Sequence, residues 1–303
     1  MRVSYSPRYV AHLPDGHIFP MKKFSGLHKY LINKRIIDET NVVEPTLVDF
    51  VNLNLVHTQR YSQGVWMGEL NRSEIRKLGL PWSKGLAVRS RLAVQGTINA
   101  GIMALQDGIA GNLAGGTHHS MPDGGEGFCV FNDVAVAIKV LKQTKWANKI
   151  LVIDCDVHQG NGTAEIFLED PDVYTFSMHG EKNYPFVKPP STYDIGLPDG
   201  TDGKKYQEIL TDALSTIFDE FTPDLIFYLG GIDPLENDHF GRLALTLDGL
   251  RERERIVIET ITQKEIPMVL LLSGGYAPTI SQTVEAHAIM YKEAVEISRP
   301  YFH

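Results

Sequence analysis

The sequence predicts an α/β fold in which a central, mostly parallel sheet is flanked by helices on both faces. Several short runs are apolar throughout, which is typical of strands that are buried on both faces. Longer segments with apolar residues at helical spacing separate these runs, as crossover connections between parallel strands require. With 303 residues, of which 43% are hydrophobic, we expect one domain spanning residues 1–303.

Strand-like and helix-like segments alternate from about residue 85 onward. The first 80 residues are less regular, and we expect Pro45 to open a helix that runs through Val56. In open α/β sheets, ligands bind beyond the carboxyl ends of the strands, so polar residues that follow apolar strands are the candidate site. The predicted strands are 149–153, 173–178, 224–229 and 267–272, and the predicted helices are 87–106, a capped helix from about Asn161, 203–221 and 247–263.

The composition excludes some classes of function. A net charge of -8 disfavours direct binding to nucleic acid phosphates, although it tolerates cationic partners such as lysine-rich peptides or polyamines. No apolar run is long enough to span a bilayer, and the first residues lack the apolar core of a signal peptide. Cys129 and Cys155 lie in apolar runs and are expected to be buried, reduced thiols. We therefore expect a cytoplasmic protein without a membrane partner; the sequence does not predict its oligomeric state.

The apolar run 149–153 leads directly into Asp154, Asp156 and His158. In an extended chain, residues two and four positions apart share one face, so these side chains are expected to point the same way. Two carboxylates buried together are costly unless a cation neutralises them. A solvated turn with capping aspartates is the alternative.

A second group of carboxylates follows the run 224–229. Asp238 can complete an Asp/His/Asp metal triad with Asp156 and His158, and three protein ligands leave a position open, as in catalytic zinc sites. Asp233 and Glu236 in the same segment are more typical of loop charges.

Two further strand ends carry candidate catalytic groups. His118 and His119 follow a pair of glycines, and an imidazole suits both general-base and general-acid roles near neutral pH. Tyr276 follows the last strand and can donate its hydroxyl to a developing oxyanion. Taken alone, the histidine pair is equally typical of a surface loop, and the tyrosine of packing; their convergence at strand ends favours a site.

These motifs together resemble the histone deacetylase superfamily, which has an arginase-like fold. The resemblance rests on residues 115–120, 126–133 and 154–162, on the spacing from Asp233 to Asp238, and on the Gly-Gly-Tyr ending at Tyr276. It covers nearly the whole chain. Residues 57–61 and 236–238 look most like class IV and bacterial members.

The resemblance implies a role for each matched position. It implies zinc, or alternatively ferrous iron, at the metal site and a structural K+ or Na+ bound by backbone oxygens nearby. Asp154 would orient His118, and Asn161 would pair with His119 in place of the aspartate of many relatives. The implied metal ligands are Asp156, His158 and Asp238, the catalytic set is His118, His119, Tyr276, Asp154 and Asn161, and the walls of an acyl-lysine tunnel are Gly127, Phe128, Tyr184 and Phe186.

The implied activity is metal-dependent hydrolysis of the amide of an acylated amine, such as lysine that carries an acetyl or longer acyl group in a peptide or protein. His119 would accept a proton from the attacking water, and Tyr276 would stabilise the oxyanion. Three alternatives stay open at this point: a deacetylase of polyamines or small acyl amides, an arginase-like two-metal hydrolase, and an inactive module that binds acyl-lysine.

Overall fold

Eight strands form one parallel sheet in the computed structural model, which describes residues 1–301. The order across the sheet is β2-β1-β3-β8-β7-β4-β5-β6, and every neighbouring pair is parallel. The strands are β1 (Arg2–Ser4), β2 (Val42–Val43), β3 (Ile109–Asn112), β4 (Ile150–Asp154), β5 (Val173–Gly180), β6 (Tyr193–Leu197), β7 (Leu225–Leu229) and β8 (Met268–Leu271).

The helices pack in two groups with the sheet between them, which confirms the predicted architecture. The helices are α1 (Lys23–Asn33), α2 (Phe50–Leu53), α3 (Gln59–Met67), α4 (Arg72–Leu78), α5 (Lys84–Asp107), α6 (Asp133–Gln143), α7 (Asn161–Phe167), α8 (Gly203–Glu220), α9 (Leu247–Gln263) and α10 (Ile280–Ser298). Helices α1, α8, α9 and α10 form the first group, and α5, α6 and α7 the second.

Local sequence explains where the long helices begin. Ser83, Asp202 and Thr246 precede α5, α8 and α9, and the side chain of each accepts a backbone N–H of the first turn. The central strands β4, β7 and β8 are buried along their whole length, as their uninterrupted apolar runs predict. All four predicted strands and these helices are confirmed.

The prediction of a helix from Pro45 through Val56 is wrong. Only Phe50–Leu53 is helical, because the preceding chain is held extended by α5. The backbone N–H of Val48 donates to the carbonyl of Arg91, and the Arg91 guanidinium donates back to the Val48 carbonyl at 3.0 Å. The sequence also failed to predict the strands β1, β2, β3 and β6, three of which lie at the edges of the sheet or are very short.

The strand order places four chain segments at one edge of the sheet. After β4 the chain adds β5 and β6 on one side, and then returns to place β7 on the other side of β4. This reversal is the topological switch point at which open α/β sheets bind ligands. The strands β3, β8, β7 and β4 are consecutive, so the polar segments that follow them meet there.

The two cysteines are placed as expected. Cys129 and Cys155 are both buried and free. Within residues 1–301, none of the helices combines the length and apolar character that crossing a membrane demands.

Candidate active site

The site begins with the segment that follows β4. Asp156 and His158 turn toward β7 and β8, where His158 Nδ1 lies 2.9 Å from Asp156 Oδ1. Asp154 Oδ2 lies 2.6 Å from His118 Nδ1, in the segment after β3, and Asp156 Oδ1 lies 3.9 Å from His118 Nε2. The three residues therefore contact the segments that follow β3, β7 and β8, which lie on the same side of β4.

The third member of the Asp156 and His158 cluster is Asp233. One ligand atom from each of these three residues lies within 4.8 Å of the others. Asp233 Oδ2 is 3.2 Å from His158 Nδ1, and Asp233 Oδ1 accepts the backbone N–H of Val157 at 2.9 Å. The sequence interpretation of Asp233 as a loop charge is therefore wrong, since its side chain is fully buried.

The prediction that Asp238 completes this cluster is corrected by the structure. Its Oδ1 accepts the backbone N–H groups of Phe240 and Gly241 at 2.8 and 3.1 Å, and its Oδ2 accepts that of Tyr276 at 2.7 Å. Through these three hydrogen bonds the Asp238 carboxylate connects the loop after β7 to the loop after β8. Both aspartates follow β7, but only Asp233 has its carboxylate directed at His158.

The cluster fits a divalent cation. Asp233 Oδ2 is buried without a hydrogen-bond partner, so one carboxylate oxygen is free to act as a ligand. Gly274 leaves the necessary room: a Cβ atom there would lie 2.1 Å from Asp233 Oδ2 and 2.6 Å from Asp156 Oδ2. Two carboxylates and one imidazole are a donor set that suits zinc and also ferrous iron.

The electrostatics of the cluster also favour binding of a cation. Burial, followed by the Asp156 carboxylate, raises the pKa of Asp233 to about 7. Burial alone would lower the pKa of His158, but its contacts with Asp156 and Asp233 outweigh burial and raise it to about 10. A cation bound between the two carboxylates would offset the cost of burying them together.

The two adjacent histidines have different partners. His118 Nδ1 lies 2.6 Å from Asp154 Oδ2, and His119 Nδ1 lies 2.6 Å from Asn161 Oδ1. Burial lowers the pKa of His118, but Asp154 and Asp156 outweigh it and raise that pKa to about 9. For His119, burial and the neighbouring histidines His118 and His158 hold the pKa well below its usual value. The His118 imidazole is thus biased toward the charged form and the His119 imidazole toward the neutral form.

Asn161 differs in part from its prediction. It does begin α7, as expected, but its side chain does not cap the helix. The amide instead bridges His119 and Glu126: Oδ1 contacts the imidazole, and Nδ2 donates to Glu126 Oε1 at 2.5 Å. Glu126 opens the 126–133 motif, but the sequence carries no signal for its contact with Asn161.

Tyr276 lies in the wall of the same cavity as the histidine pair, Asp156 and His158. Burial, followed by nearby carboxylates, raises the pKa of Tyr276 well above its usual value, so the phenol keeps its proton. Its ring packs edge-on against Phe240, with centroids 4.8 Å apart. This arrangement leaves the phenol able to donate a hydrogen bond in the cavity.

A cavity of about 340 Å³ opens above these residues. Gly127, Phe128 and Tyr184 line it, as predicted, together with Phe240 and Lys77. A Cβ at Gly127 would lie 2.6 Å from the His119 ring, so only glycine lets the imidazole occupy its place. The cavity is therefore mostly aromatic and leads from the surface to His119 and His158.

Phe186 does not belong to this wall, contrary to the prediction. Its side chain is 90% exposed and contacts the edge of Tyr184 from outside, with ring centroids 6.4 Å apart. Phe240 contributes the ring that the sequence analysis assigned to Phe186, and Phe240 lies 6.4 Å from Phe128 between ring centroids. Phe240 has no sequence signal beyond its place two residues after Asp238.

The fold and the site define an α/β protein whose candidate site lies at the carboxyl edge of a parallel sheet, beneath an aromatic cavity. A model of the histone deacetylase domain matches residues 17–291, and the chain belongs to this family. Membership makes the chain a deacetylase-type hydrolase that acts on acylated lysine or related amines.

Individual relatives agree with this assignment. The chain is 43% identical over 295 residues to an uncharacterised protein of a Picosynechococcus species, covering 97% of this chain and 98% of that one. It is 31% identical over 278 residues to the acetoin utilization protein AcuC of Bacillus subtilis, covering 83% and 71% of the two chains. Histone deacetylase 2 of Arabidopsis thaliana is 28% identical over 277 residues, covering 88% and 72%.

Solved structures agree on the fold. The structure of a histone deacetylase homologue complexed with SAHA superposes with a TM-score of 0.83 at 24% identity, covering 98% of this chain and 84% of that one. At this identity the likeness shows the fold alone, which is the predicted arginase and deacetylase fold.

Proposed function

We propose that this chain is a single-domain, metal-dependent amidohydrolase that removes acyl groups from lysine side chains of peptides or proteins. The observation that carries the proposal is the buried cluster of Asp156, His158 and Asp233 beside the histidine pair, at the bottom of an aromatic cavity. The donor set favours Zn²⁺ and also accepts Fe²⁺. Such an ion supplies Lewis acidity, which polarises a carbonyl group and makes water a stronger acid.

The protein residues divide the remaining work among them. His119 is held neutral, with its Nδ1 directed at Asn161, so its Nε2 lone pair can accept a proton from the attacking water. His118 is paired with Asp154, carries positive charge readily and can help to protonate the departing amine. Tyr276 donates its phenolic proton in a hydrogen bond to the oxyanion.

The cavity above the site fits a lysine stem. Phe128, Tyr184 and Phe240 surround it with aromatic surface, which favours an apolar methylene chain over water. Lys77 also lines the cavity, but its ammonium is paired with Glu126 at 2.5 Å, so it adds no net positive charge to the wall. The aromatic lining therefore supports acyl-lysine over an acylpolyamine as the substrate class.

The test is a substrate series with the metal-loaded full chain. Peptides with acetyl-, butyryl-, octanoyl- and myristoyl-lysine are compared with N-acetylputrescine and N-acetylspermidine, and bound metal is counted by elemental analysis. We expect hydrolysis of acyl-lysine peptides with one catalytic metal per chain. Metal-loaded, folded protein that hydrolyses none of these amides would contradict the proposal, and two catalytic metals per chain would favour an arginase-like enzyme.

A matched glycine pair tests the metal cluster itself. Gly274→Ala places a methyl group against Asp156 and Asp233, so we expect loss of both bound metal and hydrolysis. Gly124→Ala is the control, since a Cβ at that position meets nothing within 4 Å. If Gly274→Ala keeps its full metal content, Asp156, His158 and Asp233 are not the metal ligands.

A further inference from the structure

Glu126 is a buried carboxylate at the edge of the site with three donors around it. Its side chain is only 5% exposed. Oε1 accepts the Asn161 amide at 2.5 Å and the Tyr184 hydroxyl at 2.8 Å, and Oε2 lies 2.5 Å from Lys77 Nζ. These contacts outweigh burial and lower the pKa of Glu126 below its usual value, so the carboxylate is ionised at neutral pH. Nothing in the reaction scheme above uses this charge.

An ionised carboxylate fixes the orientation of the Asn161 amide. A carboxylate can only accept hydrogen bonds, so the group of Asn161 that faces Glu126 must be the NH₂. The amide oxygen then necessarily faces His119 Nδ1, at 2.6 Å. An oxygen can only accept, so Nδ1 of the neutral imidazole must carry the proton, and Nε2 must carry the lone pair.

The opposite orientation would disable the imidazole. If the amide were rotated by half a turn, its NH₂ would donate to His119 Nδ1, and the imidazole proton would move to Nε2. An imidazole protonated at Nε2 cannot accept a proton from water in the cavity. Without Glu126, the two orientations of the amide would differ less in energy, because among residues 1–301 the Nδ2 group donates a hydrogen bond to Glu126 alone.

We propose that Glu126 is a positioning residue which, through Asn161, keeps His119 in the tautomer that has its proton on Nδ1. The inference rests on the proposed function for its catalytic consequence, but the tautomer is a property of the folded chain without turnover. Lys77 and Tyr184 hold Glu126 from the side of the substrate cavity, so the same carboxylate joins the cavity wall to the orientation of the base.

The direct test is ¹⁵N NMR of the histidine side chains in the metal-free full chain at neutral pH. The His119 signals are assigned by their loss in His119→Ala. We expect His119 to be protonated at Nδ1 in the unchanged protein; protonation at Nε2 there would overturn the proposal without the need for any further variant.

Variants of Glu126 then show whether it positions His119 or only stabilises the fold. Glu126→Met removes the acceptor at similar length, and we expect a mixture of tautomers and a fall in kcat of about 10–100-fold with little change in KM. Glu126→Gln combined with Lys77→Met keeps an oxygen acceptor for Asn161 and removes the cation that would otherwise attract that oxygen, so this double variant should restore the Nδ1 tautomer and most of kcat. Glu293→Gln is the matched control: Glu293 is a buried carboxylate on α10 paired with Arg251, and its loss should leave tautomer and kcat unchanged.

Two outcomes of these variants are decisive. An unaltered His119 tautomer and unaltered kcat in folded Glu126→Met would overturn the positioning role. The predicted tautomers in a chain that hydrolyses no acyl amide would support the role of Glu126 and contradict the proposed function, so the two failures are distinguishable.

Discussion

The carboxylate of Asp238 accepts a hydrogen bond of 2.7 Å from the backbone N–H of Tyr276. Through this contact the loop after β7 holds the loop after β8, which carries the proposed oxyanion donor. Two more backbone N–H groups, from Phe240 and Gly241, complete the coordination of the same carboxylate. Asp238 thus fixes the position of Tyr276, while Asp233 faces His158.

The two aspartates are expected to respond differently to the same substitution. Asp233→Asn removes a charged ligand, so metal affinity should fall by more than about 100-fold, beyond the effect usual for residues that only support a ligand. Asp238→Asn should keep the metal but lower the free energy of unfolding by about 1–3 kcal/mol, because one backbone N–H loses its acceptor. Metal titration and urea unfolding of both variants check this. Metal loss confined to Asp238→Asn would restore the interpretation made from the sequence.

Removal of the Tyr276 hydroxyl should affect catalysis without affecting the metal. We expect Tyr276→Phe to reduce kcat by about 10²–10³-fold, in line with loss of an oxyanion donor. The Phe240 contact and the backbone hydrogen bond to Asp238 do not involve the hydroxyl, so fold and metal content should be retained. Steady-state kinetics and elemental analysis measure both quantities. Turnover close to that of the unchanged enzyme would remove Tyr276 from the mechanism.

Substitutions of Phe240 and Phe186 should have different effects, because Phe240 lines the cavity and Phe186 lies on the surface. Phe240→Ala removes one side of the aromatic lining, and we expect KM for acetyl-lysine peptides to rise through lost burial of the lysine stem. Phe186→Ser should change the free energy of unfolding and of binding by no more than about 0.5 kcal/mol, because the side chain is exposed. A large KM effect for Phe186→Ser with none for Phe240→Ala would place the wall where the sequence analysis put it.

The buried His57 should make the fold sensitive to mild acid. Burial lowers its pKa to about 4, and its Nε2 accepts the backbone N–H of Asn132 at 2.9 Å. As the pH falls, His57 therefore takes up a proton in the unfolded chain before it does so in the folded chain. The stabilisation from neutral His57 is present above pH 6.5 and is lost as the pH falls toward 4. The free energy of unfolding decreases by about 3 kcal/mol over this range.

Urea unfolding at pH 7.5 and pH 5 measures that dependence. In His57→Asn the difference between the two pH values should be smaller than in the unchanged protein, whereas the exposed His12→Asn should leave it unaltered. An equal pH dependence in His57→Asn and the unchanged protein would exclude His57 as a source of acid sensitivity.

The sequence by itself determined the layers of the fold and the place of the site. Apolar runs identify buried strands because burial on both faces leaves no position for a polar side chain, and the residues that follow such runs must lie at one edge of a parallel sheet. His118, His119, Asp156, His158 and Tyr276 were predicted to converge on these grounds, and they line one cavity.

Only the tertiary structure decided which side chains of each loop enter the site. Asp233 and Asp238 follow the same strand and have the same chemistry, and the choice between them depends on backbone N–H groups supplied by a distant loop. Phe240 replaces Phe186, and Glu126 orients Asn161, for the same reason. Sequence patterns report whether a segment is buried, whereas the direction of one side chain depends on partners that are far away in the chain.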